Sequence, residues 1–505
     1  MALSQSHATV GTATDTDHMM EVSLAVLSAT ASAATAQKAL VVDLDGTLLR
    51  SDLLVESFFA LLSSRPLRAV QALATLTDGK AALKRRLAEE ADLDIASLPW
   101  NQELLSLLRA ERANGRLIYL ASASDRHWVD KIAAELGLFD GVFASDGVVN
   151  LSGKAKADAL CQAFGEGGFD YAGNEAVDCA VWEKAANVLL VNAGPSLVRT
   201  VQQRWPTARI IGDGSIRLKD YVRAIRVHQW LKNLLLPLPT LAAHEFDVVR
   251  LFTCALAFVA FCCCASSVYV LNDLVDLGRD RAHPTKRRRP FASGTVPVLH
   301  GLLMVPVLLL SALILGAAVG PNFLIVLSGY YALTLAYSLW LKRQMMIDVV
   351  VLACLYGIRL VAGGVAAGVP VSAWLAAFSL FLFCSLALLK RCTELIARMA
   401  KGPGDPAGRD YQQRDLAMLE ALAAASGFTA IQVFALYLNS DAVKALYHSP
   451  ARLSMLCVIM VYWIGRVLML AHRGEMHDDP VVFAATDRTS LVCVAVAAGV
   501  VAASL

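Results

Sequence analysis

The sequence predicts a chain in two parts: a soluble N-terminal α/β domain with a small helical cap, then an all-α, multi-pass transmembrane bundle of about nine helices. Three observations carry this. Apolar residues make up 56% of the 505-residue chain and charged residues only 17%, with a mean hydropathy of +0.53, too oily for a soluble protein. The oil is unevenly placed, because residues 38–220 read as soluble and residues 226–505 as membrane. Within the soluble part, short apolar runs read as buried strands that end in polar, chemistry-bearing residues.

Apolar runs long enough to span a bilayer lie near 230–244, 249–271, 297–318, 321–341, 345–367, 372–390, 420–439, 452–471 and 488–505. The loops after the second, fourth, sixth and eighth runs hold most of the cations, among them Arg279, Arg281, Lys286, Arg287, Arg288, Arg289, Lys342, Arg343, Lys390, Arg391, Arg398, Lys401, Arg409, Arg414, Arg473 and Arg488. By the positive-inside rule these loops are cytoplasmic, with the N-terminal domain on their side, the C-terminus outside, and the protein in the cell (inner) membrane. A net charge of +2 predicts no nucleic-acid binding. The eleven cysteines follow no ligand spacing, and Cys262-Cys263-Cys264 lies inside an apolar run, so neither a disulfide framework nor a zinc site is expected.

Residues 1–36 read as a disordered tail, with Met19 or Met20 as an alternative start. Residues 39–48 form a buried strand followed by Asp43-Leu44-Asp45-Gly46-Thr47. A second strand ends at Ser122, Gly153-Lys154-Ala155-Lys156 precedes a helix, and Gly173-Asn174-Glu175-Ala176-Val177-Asp178 precedes a final strand at 188–192. These motifs, in this order, resemble the haloacid-dehalogenase (HAD) phosphatase superfamily over residues 38–205. The resemblance implies a Rossmann-like domain at 37–205, with Asp43 as the phosphoryl-accepting nucleophile and Asp45 as general acid/base. It implies phosphate contacts from Ser122 and from Lys156, with Lys154 as the rival lysine, and Mg²⁺ held by Asp43, Asp45 and Asp178. Asn174 stands where the family has an acid, which removes one negative charge from the metal site. The roughly 65 residues between the first two motifs alternate at helical period and supply the cap.

Residues 206–225 read as a linker, and residues 226–505 as the membrane domain. At its entry stand Arg223, Arg226, Trp230, Lys232 and Asn233, which suit an interfacial anchor or a phosphate contact. Where the second run ends comes Asn272-Asp273-x-x-Asp276-x-x-x-Asp280. Spacings of three and four put the three carboxylates on one helix face, where they repel unless a cation sits among them. Mg²⁺ shared with a substrate phosphate is the natural candidate, and the following Lys286, Arg287 and Arg289 can hold further phosphate oxygens. From here on the chain resembles the UbiA superfamily of membrane prenyltransferases. It departs from that pattern at 390–415, where Lys390-Arg391-Cys392-Thr393-Glu394, Asp405, Asp410, Tyr411, Arg414 and Asp415 supply no second Asp pair.

The departure, with Ile225-Arg226-x-x-Gln229-Trp230-x-Lys232-Asn233, His283-Pro284-Thr285-Lys286-Arg287-x-Arg289-Pro290, Tyr337-x-x-x-Leu341-Lys342 and Arg359-x-x-Ala362-Gly363-Gly364, looks like the polyprenyl-phosphate (decaprenyl-phosphate) phosphoribosyltransferases. That resemblance implies phosphoribosyl pyrophosphate as donor and a polyprenyl phosphate as acceptor. Asn272, Asp273, Asp276 and Asp280 then hold Mg²⁺ and pyrophosphate, Lys286, Arg287 and Arg289 neutralise the leaving group, and Lys232, Lys342, Arg359 and Lys390 face the other phosphates. Asp348 and Arg359 fall inside the fifth run, where charge is costly and usually functional, and their spacing of eleven lets them share a face and partly pair. Gly357, Gly363, Gly364 and Gly368 read as close helix packing. His477-Asp478-Asp479 reads as a solvated loop rather than a metal site. The expected function is phosphoribosyl transfer followed by dephosphorylation of the product in the HAD domain. Two alternatives stand beside it: prenyl transfer from a polyprenyl diphosphate to an aromatic acceptor, and a lipid-phosphate carrier with an inactive HAD module.

Overall fold

A computed structural model of the chain describes residues 37–146, 150–244, 247–399, 410–440, 443, 447–476 and 479–504. The expected disordered tail, Asp405, His477 and Asp478 lie outside the described residues. The chain divides into two units, residues 1–216 with 281–287, and residues 217–280 with 288–505.

The first unit is built on six parallel strands: β1 (Ala39–Asp43), β2 (Ile118–Asp125), β3 (Gly141–Ser145), β4 (Phe169–Gly173), β5 (Val188–Val191) and β6 (Arg209–Ile211). Their order is β3-β2-β1-β4-β5-β6. Every residue of β1 is buried, as expected of a central parallel strand covered on both faces. Leu40 and Val42 pack into one core layer with Leu120 and Trp128, while Val41 enters the other with Phe169, Tyr171 and Trp182. The strand order reverses at β1, so the loops after β1 and β4 leave in opposite directions and open a crevice at their carboxyl ends. Asp43 closes β1 and Gly173 closes β4, which places the first and last motifs at that crevice.

Strands β3 and β6 were not legible in the sequence, and β6 falls inside the stretch read as a linker. It is three residues long with exposed Arg209, too short to show a period. Between β1 and β2 the chain is helical, in Leu53–Ser64, Pro66–Leu73, Lys80–Glu90 and Gln102–Ala113. Leu61, Ala69, Ala72, Leu83 and Leu87 give the first three of these helices a core of their own. The Arg281–Arg287 segment counts with this unit, where Arg281 donates to both carboxylate oxygens of buried Glu56 at 2.5 and 2.7 Å.

Among the described residues of the second unit, seven helices are long and apolar enough to cross a membrane. They are Val248–Val275, Val298–Val319, Pro321–Leu339, Ile347–Ala367, Ala373–Met399, Gln413–Leu438 and Ala451–His472. An eighth span is formed if Pro480–Thr486 and Arg488–Ala502, bent by 74°, are counted as one. The apolar run at 230–244, read as the first span, is two short pieces: a 3₁₀ stretch Val227–Leu235 and a helix Leu238–Ala242. Pro237 and Pro239 remove two N–H donors there, so no continuous i→i−4 ladder runs through.

The four glycines of Ile347–Ala367 and its cap differ in role. A Cβ on Gly363 would meet the Leu236 carbonyl oxygen at 1.8 Å, and one on Gly364 the Val369 carbonyl oxygen at 2.6 Å. Gly368 ends the helix at φ +67°, and Gly357 has open space beside it, against the expectation of close packing. Gly363→Ala should therefore cost about 1–3 kcal/mol of stability through overpacking. Gly357→Ala should be neutral or stabilise by up to about 1 kcal/mol through helix propensity. Thermal unfolding of the two variants in detergent checks this, and equal shifts in Tm would contradict it.

Candidate active sites

At the crevice of the first unit, Asp43 is buried and Lys156 Nζ donates to its Oδ1 at 2.6 Å. Lys156 also donates to the Tyr171 hydroxyl at 3.0 Å, and that hydroxyl donates to Asp178 Oδ1 at 3.0 Å. The backbone N–H groups of Asn174 and Glu175 donate to the other Asp178 oxygen, each at 3.0 Å. The Thr47 hydroxyl stands 3.1 Å from Asp43 Oδ2 and 2.9 Å from Asn174 Oδ1. Asp45 accepts from Leu53 N–H at 2.8 Å, Ser122 at 3.1 Å and Ser124 at 2.7 Å. All the expected HAD residues thus meet at one edge, and of the two rival lysines Lys156 points inward while Lys154 is exposed. The Asp43 carboxyl is pushed up to about 7 in all: burial raises it most, Lys156 pulls it down, and Asp178 and Asp45 add to the rise. Burial alone would lower Lys156, but Asp43 and Asp178 outweigh it and hold the ammonium charged. An all-oxygen donor set around a carboxylate this reluctant to ionise suits a hard divalent cation such as Mg²⁺.

In the second unit the acid motif straddles a helix break. Asp273 ends the Val248–Val275 helix, Asp276 caps it, and Asp280 lies on the short helix Leu277–Ala282. Asp276 N–H to Asn272 carbonyl and Asp280 N–H to Asp276 carbonyl, both 2.9 Å, carry the helical register across the break. Asp273 and Asp280 therefore converge: Arg289 Nη1 donates to Asp273 at 3.0 Å and to Asp280 at 2.5 Å. Arg226 grips both oxygens of Asp273 as a fork. Asp276 turns instead to Arg279 at 3.1 Å and Lys342 at 3.7 Å, so the three acids do not share one partner. Asn272 donates to Ser338 at 3.0 Å. Lys286 and Arg287 are exposed, in the segment that counts with the first unit. Among the described residues no three acids or histidines are already arranged around a metal point. A guanidinium nitrogen bridging two carboxylates nevertheless marks a spot where a cation fits, and Asp273 and Asp280 would hold Mg²⁺ there.

The remaining expected residues form a second charged group. Lys232 pairs with Asp479, and Lys390 lies 3.6 Å from the same oxygen. Arg359 is buried, donating to Asn233 Oδ1 at 2.8 Å and to the Tyr330 hydroxyl at 3.0 Å. It does not pair with Asp348. Eleven residues of helix rise by roughly 16 Å, so a shared face does not bring the two together. Asp348 takes Arg391 Nε at 2.8 Å and the Tyr411 hydroxyl at 2.6 Å instead. Cations stand over three tyrosine rings of this unit: Arg226 over Tyr269, Arg359 over Tyr330 and Tyr356, and Lys232 over Tyr356. Sequence reasoning assigned no part to Tyr171, Thr47 or Asp479; the only local signal for Asp479 was an acid directly before Pro480, a helix-start pattern.

Comparison with known proteins agrees with this division. Residues 234–396 match the UbiA prenyltransferase family, and residues 40–163 match the haloacid dehalogenase-like hydrolases. The chain is 37% identical over 457 residues to the uncharacterized protein y4nM of Sinorhizobium fredii, covering 89% of this chain and 88% of that one. It is 37% identical over 282 residues to the nodulation protein NoeC of Azorhizobium caulinodans, covering 55% of this chain and 91% of NoeC. It is also 37% identical over 199 residues to decaprenyl-phosphate phosphoribosyltransferase of Mycolicibacterium smegmatis, covering 38% of this chain and 62% of that enzyme. The chain thus carries a UbiA prenyltransferase-family domain, related to decaprenyl-phosphate phosphoribosyltransferase, within a multi-pass membrane unit, and a HAD hydrolase-like domain ahead of it.

Proposed function

We propose that the bundle transfers phosphoribose from phosphoribosyl pyrophosphate to a polyprenyl phosphate, and that the HAD domain then removes the 5-phosphate of the lipid-linked product. The observation that carries this reading is the group of cations Arg226, Lys232 and Arg359, which stand over the rings of Tyr269, Tyr330 and Tyr356. An allylic carbocation would need those faces free, whereas a substrate pair with several phosphates needs the cations. The kinship with decaprenyl-phosphate phosphoribosyltransferase supports the same choice.

In this reading Asp273 and Asp280 would hold Mg²⁺, which would supply charge screening for the pyrophosphate. Arg289 and Arg226, released from the carboxylates, turn to the pyrophosphate oxygens. A lipid phosphate oxygen bonds to the anomeric carbon, the carbon–oxygen bond to pyrophosphate breaks, and the electron pair leaves with pyrophosphate. The nucleophile is already an anion, so no general base is required. In the HAD domain Asp43 accepts the phosphoryl group, Lys156 offsets its charge, and Asp45 hands a proton to the leaving oxygen. In this reading the domain lies in the cytoplasm, which the cations of the alternate loops support.

Label from phosphoribosyl pyrophosphate should enter the lipid phase with Mg²⁺ and polyprenyl phosphate. Asp273→Ala should lower the rate by about a hundredfold or more. Consumption of polyprenyl diphosphate with an aromatic acid, and no label in lipid, would install the prenyl-transfer alternative.

Loss of the 5-phosphate should vanish in Asp43→Asn. Because burial holds the Asp43 proton up to about 7, that step should speed up as pH rises through this value. Lys156 pulls that pKa down, so Lys156→Gln should move the acid limb to higher pH. Raising Mg²⁺ should move it to lower pH. A rate flat from weakly acid to weakly alkaline pH would contradict the assignment.

A further inference from the structure

Lys232 and Lys390 come from separate elements, the Val227–Leu235 turn and the Ala373–Met399 helix, yet both ammoniums converge on Asp479 Oδ2. Lys232 is 8% exposed, and the Asp479 side chain 14%. The other Asp479 oxygen accepts from Val481 and Val482 N–H at 3.1 and 3.4 Å, capping the Pro480–Thr486 helix. Arg359 stands beside them, with the Tyr356 ring 5.5 Å from its guanidinium and 5.9 Å from Lys232 Nζ. Glu394, the other acid whose field reaches Lys390, is engaged by Arg391. Two ammoniums therefore share one carboxylate in a largely buried place, with the Arg359 guanidinium beside them and, among the described residues, no acid of its own. Such a surplus is costly unless a further anion completes it. A phosphate monoester brings close to two negative charges and three acceptor oxygens, which is the charge and donor count this group is short of.

We propose that Lys232, Lys390 and Asp479 form a phosphate-monoester site separate from the Mg²⁺-diphosphate acids, with Asp479 as the positioning residue that holds the two ammoniums charged and side by side. The identity of the monoester rests on the phosphoribosyl reading: it is either the 5-phosphate of the donor or the headgroup of the lipid acceptor. Asp479 meets the two ammoniums as a phosphate would, and its fixed place as a helix cap keeps both lysines aimed. The charged and titratable groups facing Lys232 are Arg226, His228, Tyr356, Arg359, Lys390 and Asp479, and Asp479 is the acid among them. Without that carboxylate, a buried ammonium gives up its proton at lower pH. Asparagine at 479 still caps a helix, so the fold survives the loss of charge.

The test is calorimetric binding of two single-phosphate probes, ribose 5-phosphate and farnesyl monophosphate, to the full chain in detergent with EDTA. At least one probe should bind. Lys390→Met should weaken it by about tenfold or more, the loss of one charge-assisted hydrogen bond. Asp479→Asn should weaken the same probe more at about pH 9 than at about pH 7, and Asp479→Glu should restore it. The probe that responds identifies the source of the monoester. Failure of both probes to bind, variants that bind like the wild type, or an Asp479→Asn effect equal at both pH values would overturn the proposal. Lys390-dependent binding in a protein that transfers no phosphoribose would keep the site and discard the phosphoribosyl reading.

Discussion

The Asp273 carboxylate is 3% exposed, and the architecture around it follows from the need to neutralise it. A buried anion without a partner costs several kcal/mol, so the chain must deliver cations from more than one direction. Arg226 arrives from the entry turn and Arg289 from beyond the basic loop. To reach Asp273 with both nitrogens, Arg226 adopts φ +55°, a region that costs a non-glycine residue about 1–3 kcal/mol. The turn is held in that position by the Ser266 hydroxyl donating to the Ile225 carbonyl at 2.8 Å and by the Trp230 indole donating to Ser266 at 3.0 Å. Arg289 in turn accepts Ser293 N–H on its carbonyl at 2.9 Å, and Phe291 beyond it is fully buried. In the proposed reaction a divalent cation on Asp273 and Asp280 would free these two arginines for the diphosphate.

The HAD edge solves a related problem with fewer charges. Asp43, Asp45 and Asp178 already lie within each other's fields, and Lys156 is the cation that meets Asp43. An acid at position 174 would push the Asp43 proton higher still. Asn174 avoids that and keeps an oxygen, which takes the Thr47 hydroxyl. The same side chain explains the glycine of the first motif: a Cβ on Gly46 would lie 2.1 Å from Asn174 Nδ2, and its φ is +76°. The departure from the family pattern is thus built into the packing of the turn.

What the sequence disclosed and what it concealed divide by range. Local patterns were readable: the apolar strand before Asp43, the long membrane runs, and the spacing that lets Asp273 meet Asp280 across a helix break. The break of the first run was readable in principle from Pro237 and Pro239, but apolar content masked it. Strand β6 was too short to show a period. Partners distant in sequence were not readable at all. Lys232 and Asp479 are 247 residues apart, and nothing near either names the other. Asp348 and Arg359 lie on one helix and invited pairing, yet each found a partner on another element because the helix holds them about three turns apart.

The central claim is that the acid motif, with its arginines, is a diphosphate site for a sugar donor. The most direct measurement is the structure of the full chain in nanodiscs with Mg²⁺ and phosphoribosyl pyrophosphate. The account predicts Mg²⁺ on Asp273 and Asp280 where the Arg289 guanidinium now bridges them, with Arg226 and Arg289 turned to the pyrophosphate oxygens. A bound donor whose pyrophosphate lies elsewhere, while Arg289 still bridges the two carboxylates, would contradict it.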